Sequence, residues 1–279
     1  MMKFTSRHHD RDLELPKYRD HLLQTAVSDL ASDANVLAVY LGGSLARGNF
    51  DVYSDIDLRV VVKPETHQNF VNDKFNRSKR WGNVLFFEDS GPKFSHTVAH
   101  FDCFVKVDIF YYKPDDLRPS LWLHDTKIVY DPHGIVRKIY EDSLKMTYSA
   151  SFEEFEQWRG KVFAYMHEVY RRVMREEFSY ALKMLNGLSW LIVQGWLMDA
   201  GKFPAPWSDM SKVEGARTCL DDWQLSLLDT WHSERDAAAI MKTMASMIPE
   251  LLSLNKKLSR KLQTDEKAEL WGQVIGMVL

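Results

Sequence analysis

The segment from Leu41 to Leu58 constrains the fold of this chain more than any other, because it joins a glycine turn to two carboxylates on one strand. An apolar run of strand-forming residues, 36–41, ends abruptly at Gly42 and Gly43. Two adjacent glycines permit positive φ and close approach of a ligand, and Ser44 offers a hydroxyl and backbone N–H donors. The pattern predicts a phosphate-binding turn at the end of a buried strand.

A second strand begins with acidic residues and then becomes apolar. Within the run 54–62, Asp55 and Asp57 share one face, because side chains alternate along a strand. Two like charges at this spacing repel and raise one another's pKa, so a divalent cation is the natural compensator, and oxygen ligands indicate Mg²⁺. Arg47, in a short helix-like segment after the turn, adds positive charge where a phosphate would lie.

A third carboxylate is expected from a neighbouring strand, since metal ions that bridge substrate phosphates need more than two. The candidate is Asp108, in an apolar run over 104–112. It shares one predicted strand face with Phe104, Lys106 and Phe110. A carboxylate there is costly unless it is metal-bound or paired, for example with Lys106. Asp102 is the second candidate, although 101–103 also fits a turn between two strands.

Together, these motifs resemble the signature of the DNA polymerase β-type nucleotidyltransferase superfamily. The longer form, with Gly-Gly-Ser-Leu-Ala-Arg-Gly at 42–48 and Ser-Asp-Ile-Asp-Leu at 54–58, is most similar to the small-molecule branch, the aminoglycoside and lincosamide nucleotidyltransferases. The resemblance implies that the turn holds the terminal phosphates of a nucleotide and that three carboxylates bind two Mg²⁺ ions. The implied metal ligands are Asp55, Asp57 and Asp108, and the implied phosphate-binding residues are Gly43 and Ser44. Gly42 and Arg47 join the predicted nucleotide site by their position in and after the turn. Relatives place a helix lysine toward the triphosphate, and Lys183 is assigned that role here.

The periodicity of the chain predicts an α+β fold in two domains. Residues 1–147 are predicted to form a nucleotidyltransferase domain, a mixed β-sheet flanked by helices, and residues 148–279 a helical, acceptor-binding bundle. The N-terminal part is assigned helices at 15–33, where Pro16 lies near the start, at 66–80 and at 135–145. Further strands are assigned at 83–87, 95–101 and 126–130. The helical half is expected to break at 201–206, near Ser233, at Pro249 and at 264–265.

Composition narrows the class of substrate. The chain has 279 residues, 45% of them hydrophobic, a net charge of −3 and no basic run that could follow a nucleic-acid backbone. This argues against a template-directed polymerase or a tRNA-tailing enzyme and favours a small-molecule acceptor. Two cysteines form no disulfide framework, and the N-terminus has no apolar leader, so the protein is expected to be cytoplasmic. No apolar stretch approaches a membrane span; 185–198 is the nearest.

The acceptor side of the reaction has no comparable motif. Glu88, Glu176, Glu177 and His167 are candidates for the group that deprotonates the acceptor, and each also fits an ordinary solvated residue. An aminoglycoside-type antibiotic would require an acidic pocket. The acidic runs at 153–156 and 221–222 fit such a pocket or a plain surface equally well.

The sequence therefore predicts a Mg²⁺-dependent enzyme that moves a nucleoside monophosphate from an NTP, with ATP as the expected donor, to a hydroxyl of a small molecule. Pyrophosphate is released. Two alternatives are an enzyme that adds AMP to a protein partner and a non-catalytic nucleotide-binding protein with the same fold. Nucleic acid and membrane are not expected partners, and the oligomeric state is not predicted.

Overall fold

The computed structural model describes residues 6–204 and 213–279. The chain divides into two compact units, Met1–Thr147 and Tyr148–Leu279, here called the N-terminal and C-terminal units. The first contains a mixed sheet with helices, and the second is helical. The predicted α+β fold class is therefore confirmed. Residues 205 and 206 of the predicted break at 201–206 lie outside the described residues.

The N-terminal unit is built on a six-stranded sheet with the order β3-β4-β5-β2-β1-β6. Its strands are β1 (Val36–Leu41), β2 (Ile56–Val62), β3 (Val84–Glu88), β4 (His96–Phe101), β5 (Lys106–Tyr112) and β6 (Lys127–Tyr130). Strands β2 and β5 pair in parallel, and the other pairs in the sheet are antiparallel. The helices of this unit are α1 (His9–Ala31), α2 (Gly43–Arg47), α3 (His67–Lys79) and α4 (Ile135–Ser143).

One face of this sheet packs against α1 and α3. Apolar side chains at every second position of β2, β4 and β5 meet those of the two helices in one buried cluster. Its fully buried members include Leu30, Ile56, Leu58, Val60, Ala99 and Ile109. Arg77 on α3 joins the two helices, because it bonds to Asp29 at 2.9 Å and Asp33 at 2.8 Å on the α1 side.

On the opposite face, at the β1–β6 end, the α4 residue Val136 packs with Ala38, Tyr40 and Val61. Across β2, β5, β4 and β3, the same face carries polar and aromatic side chains that are at least partly exposed. We call this region the open face. Its members include Asp57, Arg59, Lys106, Asp108, Phe110, His96, His100 and Phe86.

The C-terminal unit consists of amphipathic helices around a second apolar core. They are α5 (Phe152–Met174), α6 (Phe178–Asp199), α7 (Asp222–Asp229), α8 (Ala237–Lys261) and α9 (Ala268–Val278). The N-terminus of α5 is fixed by a capping box in which the Ser151 and Glu154 side chains each accept the other's backbone N–H. Arg159 is buried, and it ties α5 to Asn255 and Ser259 on α8.

Two proline-based predictions are wrong. Helix α1 begins at His9, so Pro16 lies inside it, and α8 continues through Pro249 without a break. In both helices, buried side chains on either side of the proline continue one packed face, for example Ile248 and Leu251 in α8. Packing of that face outweighs the single backbone hydrogen bond that a proline removes.

Helix α8 also corrects the prediction about membrane spans. Once the break at Pro249 is removed, Ala237–Lys261 is long and apolar enough to cross a membrane by length and composition. Its buried side chains, however, pack into the core of the C-terminal unit; they include Ile240, Met244, Met247, Leu251, Leu254 and Leu258. A helix in the core of a protein can be as long and as apolar as a membrane span.

Candidate functional site

The glycine turn lies directly against the second strand. Strand β1 ends at Leu41, and the N–H of Gly42 donates to the backbone oxygen of Asp57 at 3.0 Å. Gly43 has φ +62°, which favours glycine, and a Cβ atom there would lie 1.8 Å from Oδ2 of Asp57. Both the backbone conformation and the neighbouring carboxylate therefore require glycine at position 43.

The residues after the turn form α2 and supply polar groups at its start. Ser44 is buried, and within the described part of the chain its Oγ has no hydrogen-bond partner. An unpaired buried hydroxyl is unusual and is consistent with a site that receives a polar ligand. Arg47, in the last turn of α2, lies 3.4 Å from the carboxylate of Asp125. Lys183 lies on α6 in the C-terminal unit, and its side chain is exposed.

Two of the three predicted carboxylates contact one lysine, and the third lies beside them. Asp57 and Asp108 are direct neighbours in the parallel register of β2 and β5. Nζ of Lys106 lies 2.9 Å from Oδ2 of Asp55 and 3.1 Å from Oδ1 of Asp108. Arg59 lies 3.4 Å from Oδ1 of Asp57. The ion pair between Asp108 and Lys106, raised by the sequence as an alternative to metal binding, is thus present, and Asp55 shares it.

Burial, and to a smaller extent the neighbouring negative charges, raise the pKa values of two of these carboxylates. Burial raises the pKa of Asp57 above its ordinary value, with a further contribution from the charge of Asp55, against the opposing effect of Arg59. Burial likewise raises the pKa of Asp108, while Lys106 opposes the shift. Burial favours neutral Lys106, but its hydrogen bond to Asp55 and the two carboxylate charges outweigh burial and raise its pKa.

The donor set fits a hard divalent cation. Across residues 6–204 and 213–279, no group of three or more His, Cys, Asp or Glu side chains is already arranged to hold a metal ion. Asp55 and Asp108 nevertheless converge on a cation, the ammonium group of Lys106, and the Asp57 carboxylate lies beside Gly43. Carboxylate oxygens are the ligands that Mg²⁺ prefers.

Other candidate residues are engaged elsewhere. Asp102 lies in the turn between β4 and β5, where it accepts a hydrogen bond from Asn83. Glu88 contacts His100 at 2.6 Å on the open face. In the C-terminal unit, Glu177 pairs with Arg172 at 2.7 Å, and Glu176 occupies an exposed position with φ +57°. His167 lies on α5, and its buried Nε2 has no hydrogen-bond partner among the described residues.

Sequence reasoning missed one supporting residue, Arg19 on α1. Its buried guanidinium donates to the backbone oxygen of Asp51 at 2.7 Å and lies over the ring of Phe50 at 5.0 Å. Arg19 therefore holds the loop that joins the glycine turn to Asp55. The signal in the sequence is its spacing, because it occupies the same helical face as the apolar residues Leu15 and Leu22.

The acidic runs have structural partners. Glu154 caps α5, and Glu156 contacts Arg159 at 2.5 Å and Lys267 at 2.6 Å. Asp221 is the N-cap residue of α7. A cavity of about 580 Å³ in the C-terminal unit is lined by Glu154 but also by Lys161, so it is not an acidic pocket.

Comparison with known proteins gives one family match, in the N-terminal unit. Residues 23–93 match the family model described as a nucleotidyltransferase domain. The match includes Gly43, Ser44, Asp55 and Asp57 and ends before Asp108. The match confirms the resemblance to the nucleotidyltransferase superfamily. No curated protein matches the chain.

Two solved structures show weaker likeness. An aminoglycoside 6-adenyltransferase from Bacillus subtilis is 12% identical, with a TM-score of 0.42, over 95% of this chain and 97% of that one. A nucleotidyltransferase-like protein from Exiguobacterium sibiricum 255-15 is also 12% identical with a TM-score of 0.42, over 86% of this chain and 77% of that one. At these values the likeness has no bearing on the substrate.

Proposed function

We propose that this nucleotidyltransferase transfers AMP from ATP to a hydroxyl of a small molecule in a Mg²⁺-dependent reaction. The proposal starts from the nucleotidyltransferase domain that residues 23–93 match. One observation carries the proposal. Asp55, Asp57 and Asp108 converge on the open face, beside a glycine turn that fits against Asp57. A small acceptor is favoured by the net charge of −3 and by the lack of a basic run.

The residues that would hold Mg²⁺ are Asp55, Asp57 and Asp108. When bound, the ions would neutralise negative charge on the phosphates and polarise the attacking and leaving oxygens. The backbone N–H groups after Gly42 and the hydroxyl of Ser44 would hold the terminal phosphates. They are hydrogen-bond donors at the end of β1, and the Ser44 hydroxyl has no partner among the described residues. Arg47 and Lys183 remain predicted phosphate contacts.

The proposed reaction is an in-line displacement. The acceptor oxygen forms a bond to the α-phosphorus, the bond from that phosphorus to the bridging oxygen of the β-phosphate breaks, and pyrophosphate leaves. The proton of the acceptor hydroxyl passes to a neighbouring water molecule. The carboxylates would act through the Mg²⁺ ions that they hold, which would position the reacting oxygens and neutralise negative charge.

The test is release of pyrophosphate from each of the four NTPs against a panel of hydroxylated small molecules. Asp57→Asn is expected to reduce turnover on the order of 10³-fold or more, because it removes a charged ligand for Mg²⁺. Asp102→Asn is the matched control, since Asp102 is exposed and bonded to Asn83, and it should retain turnover. Equal turnover in the wild type and Asp57→Asn would refute the proposal.

The same labelled ATP, added with a cell lysate, separates the two alternatives. Label on small molecules supports the proposal. Label on a protein band would identify the protein as a modifier of another protein, and binding of ATP without any release of pyrophosphate would identify a non-catalytic protein.

A further inference from the structure

We propose that the cavity beside Asp55 and Lys106 in the N-terminal unit binds the acceptor, and that this acceptor carries an uncharged aromatic or apolar ring next to its reactive hydroxyl. The inference rests on the proposed function, since it assigns the acceptor of that reaction. It places acceptor recognition in the unit that holds the carboxylates, whereas the sequence suggested the helical unit.

The cavity has one polar end and apolar walls. Its volume is about 330 Å³, at the lower end of the range for small-molecule sites. Asp55 and Lys106 form the polar end, and His100 contributes a further polar group. The walls are mainly apolar or aromatic and include Leu15, Val52, Tyr53, Phe86, Phe101 and Phe104. A cavity of this kind suits a flat ring that presents a hydroxyl toward the carboxylates.

His100 is held in a fixed plane within this wall. Phe86 is its cross-strand partner, and the two rings stack with centroids 4.2 Å apart and an angle of 14° between the planes. Nε2 of His100 lies 2.6 Å from Oε1 of Glu88, and an ionised carboxylate accepts hydrogen bonds only. Nε2 therefore donates to Glu88, and the imidazole is oriented from two sides. The His100 imidazole thus extends the aromatic wall and would orient the hydroxyl of the acceptor.

The backbone of Phe104, which lines the cavity, is the second observation. It has φ +63° in the turn between β4 and β5, a backbone conformation that favours glycine or asparagine. Its side chain is 60% exposed, and the guanidinium of Arg11 lies 4.0 Å above the ring. The contact with Arg11 gives this ring one structural role. Its position in the cavity wall fits a second role, as a contact for a ligand.

The charges around the cavity argue against a polycationic acceptor. Lys106 places one positive charge at the polar end of the cavity, and Arg11 places a second against the ring of Phe104, so both repel a polycation. In the C-terminal unit, Glu154 and Glu156 are occupied by a helix cap and by ion pairs. An uncharged ring therefore fits the cavity better than an amine-rich aminoglycoside.

The test uses p-nitrophenyl β-D-glucopyranoside, a neutral aryl glycoside, and kanamycin, a polycation, as probes. Binding of each is measured by ligand-observed NMR on the full chain. The aryl glycoside should bind more tightly than kanamycin. Phe104→Gly should weaken its binding about three- to tenfold, since an aromatic contact is lost. The unfolding temperature should stay the same or rise, because glycine suits the backbone at that position.

Two further variants keep the result interpretable. Phe104→Asn preserves tolerance of positive φ without the ring and should weaken binding equally, even if Phe104→Gly folds poorly. Leu85→Ala removes an exposed apolar side chain of β3 that does not line the cavity, and it should leave binding unchanged. Wild-type affinity in both Phe104 variants, or tighter binding of kanamycin, would overturn the inference.

Binding of Mg²⁺-ATP in the same samples separates this inference from the proposed function. If ATP binds but the aryl glycoside is insensitive to Phe104, the acceptor assignment is wrong and the transferase proposal survives. If the aryl glycoside depends on Phe104 but ATP does not bind, the cavity is a ligand site and the transferase proposal fails.

Discussion

Within β5, Val107, Ile109 and Tyr111 point toward the helices and are almost fully buried, whereas Lys106 and Asp108 point to the open face and stay partly exposed. Charged side chains on the two faces also differ in how they are paired. On the helix side, buried Lys74 donates to three backbone oxygens and contacts Asp89 at 2.5 Å, so its charge is fully matched.

The open face and the segments beside it contain features that stability alone would not select. On the face itself, burial raises the pKa values of Asp57 and Asp108. Beside it, the Ser44 hydroxyl has no partner among the described residues, and Phe104 has a strained backbone in the β4–β5 turn. Local features of this kind cluster at functional sites, where the rest of the structure compensates for them. One face of the strands thus stabilises the fold, and the other carries the chemistry.

The largest expected effect on stability comes from the helix-side face. Ile109→Ala should lower the free energy of unfolding of the sheet by about 2–5 kcal/mol, because Ile109 is completely buried and the variant leaves a cavity. Phe110→Ala, one position along on the open face, is the matched control and should cost less. Hydrogen exchange of the β5 amides measures both. A greater loss in Phe110→Ala would remove the distinction between the faces.

A smaller effect is expected at the glycine turn. Gly43 and Gly48 both have positive φ, but only at Gly43 would a Cβ atom meet another residue, the Asp57 carboxylate. Gly48→Ala should therefore cost about 1–2 kcal/mol from backbone strain alone. Gly43→Ala should cost more and should also weaken binding of Mg²⁺-ATP. Equal losses of stability and unchanged ATP binding would contradict the proposed packing of turn against carboxylate.

The smallest effect is a dependence of stability on pH in metal-free protein. The folded-state pKa of Asp57 is raised, so its ionised form is less favourable in the folded state, and wild-type stability falls as pH rises through that pKa. Asp57→Asn does not lose stability in this way, because an amide does not ionise. Its unfolding temperature should match the wild type below about pH 4 and exceed it at neutral pH. A lower unfolding temperature for Asp57→Asn at neutral pH would have the wrong sign.

Alternation along the strands made much of this comparison predictable. The two-residue period placed Asp55 with Asp57 and predicted that Asp108 shares a face with Lys106, and the glycine pair marked the end of β1. The strand predicted at 95–101 pairs with β5 as expected. These features depend on local sequence, so the alternation of side chains and the glycine pair are enough to predict them.

Long-range packing accounts for what the sequence did not reveal. Pro16 and Pro249 lie within helices because buried neighbours hold those helices together. Phe104 was assigned to a strand but lies in a turn with positive φ, which no propensity favours for phenylalanine. The position of Lys106 between Asp55 and Asp108 depends on how β5 aligns with β2, and a single sequence does not encode that register visibly.

The most direct test of the open face as a nucleotide and metal site is Mn²⁺ binding, measured by electron paramagnetic resonance with a non-hydrolysable ATP analogue. Mn²⁺ substitutes for Mg²⁺ at oxygen ligands. The wild type and Asp102→Asn are predicted to bind Mn²⁺ with equal affinity, and Asp57→Asn and Asp108→Asn to bind it about tenfold or more weakly. Equal Mn²⁺ affinity in all four proteins would contradict the assignment of these carboxylates.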